Sequence, residues 1–184
     1  AKLANNKNLV VPVVDEDGHK VQGVGNSAFK GLSLESVELP KNVKAPSNGL
    51  WDSSVTTRGD FFIGASAFQG NNLTELTVPE GTIYIGSNAF SKNKLKSARF
   101  PSTLMMIGNG AFATNEIANL DFSKTTDYPL SIDNMAFAIN KIESVQLPDK
   151  TEKVSKWAFL RNAGKAPVTT GNANEKKGGI VYMY

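Results

Sequence analysis

The sequence predicts a right-handed solenoid of the α/β repeat class, built mostly from short parallel β-strands with short helical turns. Three observations carry that prediction. An Ala-Phe pair recurs at Ala28-Phe29, Ala67-Phe68, Ala89-Phe90, Ala111-Phe112, Ala136-Phe137 and Ala158-Phe159, with steps of 39, 22, 22, 25 and 22 residues between alanines. Around most of these pairs, apolar residues hold constant offsets: with the alanine at position 0 they fall at −6, −4, +1, +6, +9 and +11, as in Ile83, Ile85, Phe90, Leu95, Ala98 and Phe100. Most units then close on proline at +12. A period in the twenties marks an array in which each unit buries its apolar side only against its neighbours.

Composition agrees with one short array. The 184 residues are 40% hydrophobic and 20% charged, with a formal charge of +3. The basic residues are dispersed, which argues against a nucleic-acid groove. There is no cysteine, so disulfides and thiolate metal sites are excluded. No apolar run approaches the roughly 20 residues of a membrane span. The chain starts at Ala1, which reads as a mature or excised piece.

Residues 1–20 read as a degenerate repeat and a hairpin cap. Leu9, Val11 and Pro12 fit +9, +11 and +12, and Asp17-Gly18 sets a hairpin turn between β-branched residues. Residues 21–162 hold the repeats, interrupted by an insertion loop at 41–60 that is rich in Gly, Asn and Ser and contains Trp51. Repeats three and four are regular. Repeat five takes a three-residue insertion near Thr125–Asp127. Repeat six loses its pattern at Gly164, Pro167 and Thr169, so 163–184 read as a C-terminal cap, which an end unit with no neighbour requires.

Each recurring position has a physical reading. Alternation from +8 to +11 is the period of a strand with one buried face. Proline at +12 donates no hydrogen bond and ends it. Positions −6 and −4 mark a second inward-facing strand. Gly at −3 suits a positive-φ turn, and Asn or Ser at −2 (Asn26, Ser87, Asn109, Asn134) suits the cap of one helical turn. The asparagines at +4 (Asn71, Asn93, Asn115, Asn140, Asn162) are expected to bond backbone groups bared by the turn. The phenylalanines at +1 should stack about 5 Å apart, and truncating one to Ala should cost about 3–5 kcal/mol.

The strings IGASAFQGNNLTELTVP and IGNGAFATNEIANLDF resemble the BspA-type leucine-rich repeats, also called the Treponema pallidum class, over about Val21 to Asn162. The resemblance implies a leucine-rich repeat solenoid. It also implies a bacterial cell-surface or secreted protein of the kind associated with adhesion to host cells or matrix proteins. The Asn-rich, Cys-free repeat is similar to Gram-positive versions.

Candidate chemistry is sparse. His19 sits in the turn beside Asp17 with no recognisable nucleophile set. Asp15-Glu16-Asp17-Gly18 lacks the downstream spacing of a calcium loop, and Gly23 and Gly25 lack the rest of a nucleotide fingerprint. Outward positions say more. The +10 file (Glu38, Thr77, Arg99, Asp121, Gln146) forms a polar face with an Arg99–Asp121 pair across neighbouring rungs. The −5 file reads Gly23, Phe62, Tyr84, Met106, Ser131, Lys153, so Phe62, Tyr84 and Met106 form an apolar strip, the kind of patch that marks interfaces. Trp51 is expected to share its neighbourhood, either as a partner in binding or as cover. A second off-pattern set, Met135, Ile139 and Trp157, is expected beneath the C-terminal strand at Ile180–Tyr184.

The expected function is a non-enzymatic, extracellular protein-binding module of a bacterial surface protein, with Trp51, Phe62, Tyr84, Met106, Arg99 and Asp121 as candidate contacts. No cofactor or metal is expected, and no catalytic residue. The expected partner is a host protein or extracellular matrix component, met by a monomer that contacts no nucleic acid and inserts in no membrane. The alternatives are a carbohydrate or cell-wall binder and a rigid spacer.

Overall fold

The computed structural model describes residues 6–40, 61–125 and 127–163, together with the backbone of 167–170 and 181–182. The chain forms a parallel β-solenoid. One flank is a continuous six-stranded parallel sheet of β2 (Gly23–Val24), β4 (Phe61–Ile63), β6 (Thr82–Ile85), β8 (Met106–Ile107), β10 (Leu130–Ile132) and β12 (Thr151–Val154), stacked in chain order. The second flank comes in three pieces. β1 (Asn8–Val10) pairs with β3 (Ser36–Glu38). β5 (Glu75–Thr77), β7 (Ser97–Arg99) and β9 (Asn119–Asp121) form a three-stranded sheet. β11 (Gln146–Leu147) pairs with β13 (Pro167–Thr170), against which β14 (Val181–Tyr182) runs antiparallel. The breaks fall between β3 and β5 and between β9 and β11, the two intervals that carry the internal insertions, while the first flank pairs straight across both.

Between the flanks lies a single core. The six phenylalanines at +1 form one column, with consecutive ring centroids 5.2 to 5.4 Å apart and planes within 16° of parallel. Five of them are fully buried and Phe29, at the open N-terminal rung, is partly so. Phe100 stacks on Phe122 at 4.4 Å and meets Phe112 edge-on at 5.6 Å within the same core.

The Ala-Phe turn is not a helix. In each rung two hydrogen-bonded turns follow one another, as in Ala89 N–H to Gly86 C=O (3.2 Å) and Ser91 N–H to Asn88 C=O (3.1 Å). The amides at −1, +1 and +3 point along the stack instead: Asn88, Phe90 and Lys92 donate to Asn109, Ala111 and Ala113 at 2.8–3.0 Å. Helical geometry would consume those donors within the rung, so between-rung bonding displaces it. Two backbone positions are left-handed in consequence. One is −1 (Ser27, Ser66, Asn88, Gly110, Met135) and the other is +3 (Gly31, Gly70, Lys92, Thr114, Ile139, Arg161).

Two expectations at the turn are corrected on the same ground. The −3 glycines do not supply positive φ. A Cβ on Gly86 would lie 2.6 Å from the backbone of Gly64 and Ala65, so glycine is there to let rungs approach. The −2 residue does not cap a helix either: Asn26 Oδ1 accepts the amide of Ala65 in the next rung, at 2.8 Å.

The +4 asparagines do more than cover a turn. Asn93 Nδ2 donates to Phe68 C=O (2.9 Å) and Phe90 C=O (3.0 Å), while its Oδ1 accepts Leu73 N–H (3.1 Å). Asn115 and Asn140 repeat the pattern one and two rungs on, with all three side chains buried. Each asparagine therefore ties two rungs through three backbone groups. The N-terminal hairpin forms as expected, with an antiparallel bridge between Val14 and Lys20 and Gly18 at φ 82°.

Candidate protein-binding surface

The outward strip is built by strand register. Gly23, Phe62, Tyr84, Met106, Ser131 and Lys153 are consecutive partners across the six-stranded sheet. Since Ile63, Ile85 and Ile107, one residue further along, are fully buried, strand alternation turns this file to solvent. Phe62 is 45% exposed and Met106 38%, with Tyr84 half-buried between them. Phe62 leans over Gly23, where a Cβ would come within 2.9 Å of its ring; the missing side chain makes that room.

The strip is wider than the sequence pattern suggests. In β6 the fully buried residues are Thr82 and Ile85, which leaves Ile83 and Tyr84 together on the outer side. The register shifts at this point, pairing Phe61 with Thr82 and Phe62 with Tyr84, so Ile83 is the extra residue of a bulge. The next rung does the same: Leu104 is buried, Met105 is half-buried, and Met105 N–H bonds Ile83 C=O at 3.0 Å. The expectation that −6 faces inward therefore holds for Phe61 and Leu130 but fails for Ile83 and Met105, whose place in the core goes to the residue before. That offset was the available signal: in these two rungs the core residue stands seven positions before the alanine, in the other two six. The patch thus comprises Phe62, Tyr84 and Met106 flanked by Ile83 and Met105, with the small Gly23 at one end and polar Ser131 and Lys153 at the other.

Arg99 and Asp121 are register partners as expected, but on β7 and β9 of the other flank. They share no face with the apolar strip. The Asp121 carboxylate is held below the usual carboxylate range first by hydrogen bonds from Ser123, whose amide donates at 2.9 Å, and then by the positive fields of Arg99 and Lys124. Trp51 lies outside the described residues. Met135, Ile139 and Trp157 are exposed, contrary to the expectation of cover; Val181–Tyr182 pairs with β13, which continues the sheet of β11.

The hairpin carries the other polar cluster. Asp15, Asp17 and His19 present ligand atoms within 4.8 Å of one another, all exposed. His19 Nδ1 lies 3.3 Å from Asp15 Oδ2, and Asp15 Oδ1 accepts the amides of Asp17 and His19. Asp15 is thereby occupied in shaping the turn.

A family model described as a BspA type leucine rich repeat region matches residues 15–57 and 62–174, in six copies. The chain belongs to the BspA-type leucine-rich repeat family. No curated protein and no solved structure matches it. BspA-type repeats are commonly found in bacterial surface proteins and are typically non-enzymatic scaffolds for protein interaction. In this BspA-type chain the scaffold accounts for every inward-facing repeat position. The apolar residues on the outside of the sheet are not among them.

Proposed function

We propose that this chain is an extracellular protein-binding module of a bacterial surface protein and that it adheres to a host cell or matrix protein. The observation that carries the proposal is the in-register apolar patch of Phe62, Tyr84 and Met106 on the outer face of a continuous sheet. Burying such residues at an interface gains free energy in proportion to the apolar area removed from water, and aromatic anchors on a rigid support lose little conformational entropy on binding. The surface is pre-organised, because each side chain is held by strands bonded on both sides. No catalytic role is assigned to any residue.

The test is a pull-down on immobilised host matrix proteins with wild type beside a Phe62→Asp/Tyr84→Asp variant. Both substituted side chains reach solvent, so the variant should fold, which circular dichroism checks. Wild type is expected to be retained and the variant lost. Equal retention of both would clear the patch of responsibility. Retention only on a glycan array would move the function to carbohydrate recognition, and silence in both assays would leave a spacer.

A further inference from the structure

A second surface lies on the turn face of the last two rungs. Met135 and Trp157 are consecutive at −1, and Ile139 and Arg161 are consecutive at +3. Ile139 N–H bonds Leu160 C=O at 2.8 Å, which locks the two turns side by side. Met135 (φ 54°) and Ile139 (φ 56°) are left-handed. A side chain resists that conformation, and a β-branched one resists it most. Earlier rungs place Ser27, Ser66, Asn88 and Gly110, or Gly31, Gly70, Lys92 and Thr114, at the same two positions. Burial does not compensate for the strain, since Met135 is 38% and Ile139 47% exposed, and Trp157 beside them is 47% exposed. Strained backbone under exposed apolar side chains is a combination that folding alone disfavours and binding sites tolerate.

The rim is cationic. Lys156 Nζ stands 5.9 Å from the centroid of the Trp157 ring. Arg161 closes the same turn, and among the described residues neither cation has an ion-pair partner. The one acid in the two turns, Asp133, accepts bonds from Asn134 N–H (2.8 Å) and Ser155 Oγ (3.4 Å). We infer that this face docks an acidic peptide segment carrying an apolar side chain among its carboxylates: the apolar group would lie on Met135, Ile139 and Trp157, and the carboxylates would meet Lys156 and Arg161. Two cations on a single turn match the footprint of a short peptide better than that of an anionic membrane, which calls for a larger basic cluster. The inference is independent of the sheet patch, which involves none of these residues.

The experiment pans a random peptide library displayed on phage against wild type, with counter-selection on Trp157→Ser. Recovered sequences should be enriched in Asp and Glu around an apolar residue. Their synthetic peptides should bind wild type, weaken as salt rises, and weaken at least about tenfold on Lys156→Glu/Arg161→Glu. Ile139→Gly should lose peptide binding while raising the melting temperature, which separates lost contact from lost fold. The Phe62→Asp/Tyr84→Asp variant should bind these peptides like wild type, so failure here and failure of the sheet patch are distinguishable. Trp157-dependent sequences without acidic bias, recovery of none, or binding only to vesicles of anionic phospholipid would each overturn the inference.

Discussion

Replacing Asn93 by alanine isolates the device that ties one rung to the next. Its amide bonds three backbone groups, but not all three depend on it equally. Phe68 C=O also accepts Asn71 Nδ2 at 2.9 Å, and Phe90 C=O also accepts Asn115 Nδ2 at 3.0 Å, so each carbonyl keeps one donor. Among the described residues Leu73 N–H bonds only Asn93 Oδ1, and it sits in a fully buried residue. One orphaned amide costs about 1–3 kcal/mol, and two weakened carbonyls add about 0.5–1.5 kcal/mol each at most. The expected loss is about 2–6 kcal/mol, read from urea unfolding at unchanged m. Asn93→Asp sharpens the test. A carboxylate can accept Leu73 N–H, but its other oxygen would face two carbonyl oxygens, so at neutral pH it should be no better than alanine. That arrangement raises its folded-state pKa. The Asp variant should therefore recover stability as pH falls through that value, when protonation restores a donor. A loss under about 1 kcal/mol for alanine, or an aspartate variant as stable as wild type at pH 7, would refute the reasoning.

Thr82 is fully buried with its Oγ1 unbonded, so Thr82→Val, of the same shape, should raise stability by about 1 kcal/mol in thermal melts. Gly86→Ala puts a methyl group 2.6 Å from the neighbouring backbone and should cost more than about 2 kcal/mol, with broadened unfolding as rungs decouple. Glu116 accepts a 2.8 Å bond from Lys141, which, together with the charges of Lys141, Lys96 and Lys94, holds its pKa below the usual glutamate range. Its stabilising contribution is present above the ordinary glutamate pKa and is lost as pH falls through the lowered folded value. An NMR titration should show Glu116 protonating late in wild type and earlier in Lys141→Met.

The recurrence of Ala-Phe, the Asn at +4 and the Pro at +12 was enough to define the rung, its stacking and its apolar interior, because every unit repeats one local solution and neighbours differ little. Period two also placed Phe62, Tyr84 and Met106 outside, since strand alternation is a local property. What the repeat could not reveal was the direction of the turn's amides. They bond along the stack, a choice available only once another rung lies beside them, and it replaces a helical turn with left-handed residues at −1 and +3. The bulge that turns out Ile83 and Met105 likewise depends on register with Phe61 in a neighbouring strand. The exposure of Met135, Ile139 and Trp157 likewise follows from where the C-terminal strands join the solenoid. A single rung's sequence carries no such information, because the strand partners in neighbouring rungs lie 21 or more residues away and are selected by the stacked core as a whole.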